Sequence, residues 1–362
     1  MERATPDVSF VTTGHDIADA RLHRHISALT ELGLACEVLG LGDPGGAHPD
    51  LVRVRSRARR GMAVRLWRSV VLPWKAEGRV LVSLDPDSAS GCRRRRLLSP
   101  GLLYVADVHE DYAAVLRDRP WAHGPARWLG AVIAKRGARA ASRADLTSVA
   151  DGRILPDAPR RVIVRNVPLA GDHCKPDPKP RAVYVGDIRR SRGVFSMLDS
   201  IARNPAWTLD LIGPIAPDDR EEVLRRIGQC DGRVRWHDRL PPTEAWALAR
   251  GAWVGFSLLS DTPAFRDALP SKLYEYAAAG IPVVATALPG QQAAIETSGA
   301  GRIVGSTDEV DDVLVSLAAN PEEVRALGEA GRQWSRTDPA FSEGSPVLAA
   351  AIVRLLDERR RH

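Results

Sequence analysis

Apolar residues fall into short runs separated by stretches of helical spacing, and this alternation continues along most of the chain. Residues 8–12 are rich in β-favouring side chains and run into Thr13-Gly14-His15-Asp16, after which residues 20–32 carry apolar positions at a helical period. Gly33 suits the position just past a helix end, and residues 35–40 supply the next strand. Runs at 80–84 and 103–108 extend the series. A second series at 182–186, 209–213, 234–236, 254–258 and 281–286 repeats it, again with helical segments between. Strands alternating with helices predict parallel, doubly wound α/β sheets, here two of them.

Residues 169–180 separate the two series. Pro176, Pro178 and Pro180 prevent a helix or a central strand there, so the predicted organisation is a domain over 1–168, a linker over 169–180 and a domain over 181–345. The final helix, 346–361, carries Val347, Leu348, Ala351, Val353, Leu355 and Leu356 and is expected to pack back on the first domain. Two similar Rossmann-like halves facing across a cleft make a site between them the expectation.

A length of 362 residues with 44% hydrophobic and 27% charged residues fits about two soluble globular domains and excludes disorder and fibrous repeats. No uncharged apolar stretch reaches the ~20 residues of a membrane span. The N-terminus lacks the order of a secretory signal, so a cytoplasmic protein is expected. Cys36, Cys92, Cys174 and Cys230 show no paired spacing and read as free thiols, with neither a zinc site nor a disulfide framework. Charge is uneven: residues 1–168 hold 27 basic and 18 acidic residues, whereas residues 169–362 hold 24 and 27.

Part of that excess lies at 53–75, where Arg53, Arg55, Arg57, Arg59, Arg60, Arg65, Arg68 and Lys75 interleave with Met62, Val64, Leu66, Trp67, Val70, Leu72 and Trp74. Such a mixture suits peripheral contact with an anionic membrane, a surface that attracts a phosphorylated acceptor, or a mobile Arg-rich loop. Phosphate binding to nucleic acid would use the same charges, but no nucleic-acid module is visible and no nucleic-acid partner is expected. Arg93-Arg94-Arg95-Arg96 reads as a solvated helix end.

The most specific stretch is Leu269-Pro270-Ser271-Lys272-Leu273-Tyr274-Glu275-Tyr276-Ala277-Ala278-Ala279-Gly280. Pro270 stands at the start of a short helix that Gly280 ends. Its first amides, at Ser271 and Lys272, would favour an anion, Lys272 adds a full charge, and Glu275 one turn on could accept hydrogen bonds from vicinal hydroxyls. The same residues also fit a surface helix whose Glu and Lys are solvated.

This stretch resembles the donor-site signature of retaining glycosyltransferases of the family-4 type, which have the two-domain GT-B fold, and the resemblance extends over nearly the whole chain. It implies that Glu275 holds the ribose of a nucleotide-sugar, that Asp267, eight residues earlier and one methylene shorter than the usual Glu, holds hydroxyls of the transferred sugar, and that the backbone at Ser271 and Lys272 binds the diphosphate. Gly186-Asp187-Ile188-Arg189-Arg190-Ser191-Arg192-Gly193 is similar to the family's diphosphate loop. Arg192 takes the place of its Lys, while Asp187 stands where the family has Arg. A carboxylate aimed at a diphosphate would oppose binding, so Asp187 is expected to turn away, with Arg189 or Lys272 supplying the missing charge.

In the first half, Asp107-Val108-His109-Glu110 resembles the family's strand-end segment, whose His would reach the donor sugar. Asp107, His109 and Glu110 stand at the carboxyl end of a strand, where open α/β sheets bind ligands. Gly14, His15 and Asp16, with Asp19 and Arg21 after them, match the acceptor side. Asp85-Pro86-Asp87 could read as a D-x-D metal site, but its position in the chain marks it as a loop. The implied activity is metal-independent, retaining sugar transfer from a nucleotide-sugar co-substrate, without a further cofactor, to a sugar, glycolipid or small-molecule acceptor. His109, Asp267, Arg192 and Lys272 would be catalytic; Gly186, Arg189, Ser271 and Glu275 would bind the donor. A sugar-nucleotide epimerase of the same fold, or a binding protein without turnover, are the rivals. Oligomeric state is left open.

Overall fold

The computed structural model describes residues 5–58, 60–109, 124–150, 152–168, 174–262, 265–266 and 270–361, the side chains of 124–127 excepted. The chain divides into two compact units, Met1–Asn166 with Ser342–His362, and Val167–Phe341. The boundary thus falls two residues before the expected linker, and the last helix belongs to the first unit.

In the first unit, strands β1 (Val8–Asp16), β2 (Cys36–Leu41), β3 (Arg53–Arg57), β4 (Val80–Ser83), β5 (Leu103–Val108), β6 (Leu146–Val149) and β7 (Arg161–Ile163) form a parallel sheet in the order β3-β2-β1-β4-β5-β6-β7. Its helices are α1 (Ala20–Thr30), α2 (Met62–Lys75), α3 (Pro86–Leu98) and α4 (Gly124–Ala141). Both faces of the sheet are covered, which is why β4 and β5 read as unbroken apolar runs. Val80, Val82, Leu103 and Val105 pack toward α1 and the C-terminal helix, whereas Leu81, Tyr104 and Ala106 meet Leu72 of α2, Ala89 and Cys92 of α3 and Ala140 of α4.

The second unit repeats the scheme with β8 (Arg181–Val185), β9 (Thr208–Ile212), β10 (Val234–His237), β11 (Val254–Ser257), β12 (Val283–Thr286) and β13 (Gly301–Val304), in the order β10-β9-β8-β11-β12-β13. Helices α5 (Val194–Arg203), α6 (Arg220–Gly228), α7 (Pro242–Ala249), α8 (Ser271–Ala279), α9 (Pro289–Ser298), α10 (Thr307–Ala319) and α11 (Pro321–Thr337) complete it, and α12 (Ser345–Arg360) returns to the first unit. Each sheet has a topological switch, between β1 and β4 and between β8 and β11, and the carboxyl ends of such strands are where ligands bind.

The structure changes two local expectations. Within 53–75, Arg53–Arg57 form β3 and Met62–Lys75 form α2, where a loop was one expectation. Arg95 and Arg96 are not simply solvated: Arg95 donates to the carbonyls of Pro73 and Ala76, and Arg96 pairs with Asp145 at 2.7 Å.

Helices α2, α3 and α4 meet through glycines. A Cβ on Gly91 of α3 would lie 2.1 Å from the Ser69 carbonyl oxygen of α2, and one on Gly137 of α4 would lie 2.3 Å from that of Pro86. Alanine at 91 would gain ~1 kcal/mol of helix propensity, but the atom in its way is backbone, and overpacking of this kind costs about 1–3 kcal/mol. Gly91→Ala should therefore lower the urea midpoint of unfolding, whereas a higher midpoint would mean that the helices are further apart than described.

Candidate functional site

At the carboxyl end of β8 in the second unit, three pieces of chain meet. Gly186 has φ +135°, and its α-carbon is so close to Lys272 that an added Cβ would lie 2.7 Å from Nζ. Lys272 is the second residue of α8, whose N-cap, Pro270, provides no side-chain cap. The loop beyond Gly186 carries Asp187, Arg189 and Arg192 before Gly193 turns the chain into α5. Gly186, Arg189, Arg192, Ser271, Lys272 and Glu275 therefore lie together at this end of the sheet.

The electrostatics of this cluster are unbalanced. Lys272 is buried, with Nζ 5.2 Å from the centre of the Tyr184 ring. Burial, and then the charge of Arg192, push its ammonium down to about 8, against the pull of Glu275 and Asp187. Arg192 lies over Phe265 at 5.9 Å, and its Nε is buried without a hydrogen-bond partner among the described residues. Burial also pushes the Tyr184 phenol up to about 12, although Arg192 works the other way. Two cations thus share a site in which no carboxylate among the described residues forms an ion pair with either. Glu275 is buried one turn into α8, and Ser271 Oγ stands 3.5 Å from its Oε2.

Asp187 is not simply directed away from these cations. Its carboxylate accepts from Arg189 at 2.6 Å, its carbonyl accepts from the Tyr184 hydroxyl at 2.9 Å, and its charge is felt at Lys272. Arg189 is thus largely occupied in neutralising Asp187, which leaves Arg192 and Lys272 as the main positive charges.

In the first unit, the end of β1 is organised by two aspartates that the sequence analysis assigns to a loop. Asp85 is the N-cap of α3 and Pro86 its first residue, a common helix start. Instead of capping α3, the Asp85 carboxylate accepts from Thr12 Oγ1 and the Thr13 amide, both at 2.7 Å, and from the Gly14 amide at 3.2 Å. Its other oxygen is 3.3 Å from His15 Nε2. Asp87 accepts from Thr13 Oγ1 and from Arg65 Nε and an Arg65 terminal nitrogen, at 2.8 and 2.9 Å for the latter two. His15 is held in turn against His109, edge to face, with ring centres 4.8 Å apart. Among the described residues no group of three or more His, Cys, Asp or Glu is arranged to hold a metal ion.

Asp107, placed with Glu110 on the acceptor side by the resemblance, has a fully buried side chain. Both oxygens accept from Arg21, at 2.6 and 2.7 Å, and Ser148 Oγ donates at 2.7 Å, with His25 Nε2 at 3.3 Å. Burial alone would raise its carboxyl, but the Arg21 guanidinium outweighs burial and holds it well below the ordinary range. Arg21, matched to the acceptor side, is likewise buried in this pair. Asp16 accepts from the Ala18 amide at 3.0 Å, and Asp19 caps α1 through the amides of Arg21 and Leu22. Glu110 and Asp267 lie outside the described residues. Asp85, Asp87 and Arg65 are the participants that sequence reasoning missed, and the Asp-Pro pair was the available signal of a helix start.

Residues 190–341 match the family model described as glycosyl transferase-like. No curated protein matches the chain. Among solved structures, sucrose-phosphate synthase from Thermosynechococcus elongatus is similar at 14% identity and a TM-score of 0.69 over 97% of this chain and 98% of that one. HepE from Anabaena, solved in complex with UDP and glucose, is similar at 12% identity and 0.69 over 98% and 100%. WaaG, a glycosyltransferase involved in lipopolysaccharide biosynthesis, is similar at 16% identity and 0.62 over 95% and 99%. The fold is that of the GT-B glycosyltransferases.

An anion bound here prefers the protonated form of Lys272, so affinity should decline as pH rises through about 8, by up to ~10-fold per unit for one coupled proton. Folding alone has the opposite slope: the cost of burying the ammonium is present below about 8 and is relieved as pH approaches the ordinary lysine value. Titration of UDP between pH 7 and 9.5 should show this decline in the parent and lose most of it in Lys272→Met. An equal slope in both proteins would place the titrating group elsewhere.

Proposed function

For this chain of GT-B fold with a glycosyl transferase-like segment, we propose transfer of a sugar from a nucleotide-sugar to an acceptor hydroxyl, with retention of anomeric configuration and without a metal ion. The observation that carries the reading is the buried Lys272 ammonium beside Arg192, neither of which forms an ion pair with a carboxylate among the described residues. A diphosphate would complete that site, and its charge grows as the sugar departs. Preorganised cations and α8 amides therefore stabilise the transition state more than the bound donor.

Glu275, one turn beyond Lys272, is proposed to accept hydrogen bonds from the ribose. Arg189 would contribute to the diphosphate site when a ligand draws it from Asp187. The roles of Asp267 and His109 toward the transferred sugar rest on the family resemblance, and Gly14, His15 and Asp16 are proposed for the acceptor side. The departing diphosphate can take the acceptor proton, so no dedicated protein base is required. Arg192, Lys272 and the helix amides supply the neutralisation for which a metal would otherwise be recruited. No helix among the described residues is long and apolar enough to cross a membrane, and a cytoplasmic location is proposed.

The test is a thermal-shift panel of nucleotide-sugars followed by product analysis with candidate acceptor sugars. A ligand at ~100 times its dissociation constant adds ~2.7 kcal/mol of stability, so the right donor should stand out. Uridine nucleotides come first, because HepE was solved with UDP. Glu275→Ala should weaken binding roughly 10- to 100-fold, through loss of a charge-assisted hydrogen bond worth ~1.5–3 kcal/mol. Arg192→Ala should lower kcat more than it weakens binding. Asp187→Asn, which frees Arg189, should leave turnover unchanged or raise it. Conversion of the donor to an isomer without any acceptor would establish the epimerase instead, and donor binding with no transfer or hydrolysis would establish the binding protein.

A further inference from the structure

None of the donor-site residues lies on α2, α3 or α4, yet these three helices hold nine of the thirteen exposed large hydrophobic side chains among the described residues. Helix α3 packs between α2 and α4, so the three form one layer. The orientation of α2 is the informative part. Trp67 and Trp74, two turns apart on one face, are 61% and 47% exposed, with Val70 beside them at 49%. The opposite face buries Ser69 and Leu72 and sends Arg65 to Asp87. The helix thus keeps a serine and an arginine inward and two tryptophans outward, the reverse of what core packing alone would select. Leu97 and Leu98 at the end of α3 and Trp128 on α4 are exposed as well, at 65%, 63% and 70%.

The charges of the layer have one sign. Helices α2, α3 and α4 together contain eleven Arg and Lys residues and a single acid, Asp87, which is buried against Arg65. Exposed apolar surface of this extent marks a contact region, and its partner must accept tryptophan and leucine side chains while carrying negative charge. A second copy of the chain is disfavoured, because face-to-face contact would set the exposed Lys75, Arg94, Lys135, Arg136 and Arg139 against their own copies. A nucleic acid would match the charge but would leave Leu97 and Leu98 without an apolar environment. An interface of acidic headgroups over acyl chains meets both requirements, with Trp at headgroup level and Arg and Lys beside phosphates.

We propose that the α2–α3–α4 layer is a peripheral docking surface for an anionic phospholipid bilayer. It does not depend on the donor-site reading, since no residue is shared between them. Gly91 and Gly137 hold the three helices in close contact, so Trp67, Val70 and Trp74 stand on a fixed frame.

Co-sedimentation of the full chain with vesicles tests this. At low salt the parent should sediment with vesicles of about 30% phosphatidylglycerol in phosphatidylcholine, remain in solution with phosphatidylcholine alone, and be released by 0.5 M NaCl, since exposed charges are screened within a few ångströms at that ionic strength. Trp67→Ser with Trp74→Ser, and separately Arg94→Glu with Arg136→Glu, should each reduce partitioning at least 10-fold while the melting temperature and UDP affinity stay at parental values. The proposal is overturned if the parent stays in solution with anionic vesicles at low salt, or if both variants sediment as the parent does. It is also overturned by preference for a single-stranded oligonucleotide over vesicles, or by a dimer in sedimentation velocity that the Trp67→Ser, Trp74→Ser variant abolishes.

Discussion

An ammonium group buried beside a guanidinium is costly, because desolvation and like-charge repulsion act in the same direction, and the carboxyl end of β8 in the second unit is organised around holding it there. The rest of the local structure fixes the helix that carries Lys272. Its helix is short and buried along nearly its whole length, with Leu273, Tyr274, Tyr276, Ala277 and Ala278 all in the core. Tyr274 stacks on Trp334 with ring centres 5.0 Å apart and meets Phe341 at the same distance. Tyr276 accepts a hydrogen bond from the Val185 amide, which ties α8 to the end of β8. With the helix fixed, the lysine stem can only run past Tyr184 to Gly186. The absence of a side chain at Gly186 creates the room.

The first unit solves the opposite problem, a buried negative charge. Asp107 is surrounded by Arg21, His25 and Ser148, and His25 passes the connection on to Ser345 at the start of α12. Removing one member of such a group leaves an uncompensated charge in the interior, so the group ties β5 to α1. Two residues further along the chain, His109 stands against His15, which Asp85 orients through the end of β1. The half-buried histidine pair is thus held at His15 by the buried Asp85 carboxylate.

Much of this was legible in the chain itself. Parallel strands covered on both faces are written as continuous apolar runs, and 80–84 and 103–108 became β4 and β5 almost unchanged. The grouping of Gly186, Arg192 and Lys272 was legible because its pieces are short local motifs, a glycine turn and a helix start. The Asp85 and Asp87 network was not, since their partners Thr12 and Thr13 lie more than seventy residues away and are chosen by the order of strands in the sheet. Nor could residues 62–75 reveal which face of their helix points outward. Tryptophan and serine compete there for the core, and burial of Ser69 is settled by the close approach of Gly91, a constraint that belongs to another helix.

The return of the last helix to the first unit bears on how the protein is made. Leu348, Ile352, Leu355 and Leu356 of α12 complete a core begun by Phe10, Val38 and Val80, and Ser345 closes on His25. On the ribosome, domains ordinarily fold in the order in which they emerge. Here residues 167–341 are complete while the earlier-made sheet still lacks one of its covering helices, so the second unit can reach its native packing first. Until α12 arrives, the apolar face around Ile26 and Leu29 is open to solvent, and the nascent first unit is the part of the molecule most exposed to misassociation and most in need of protection during synthesis.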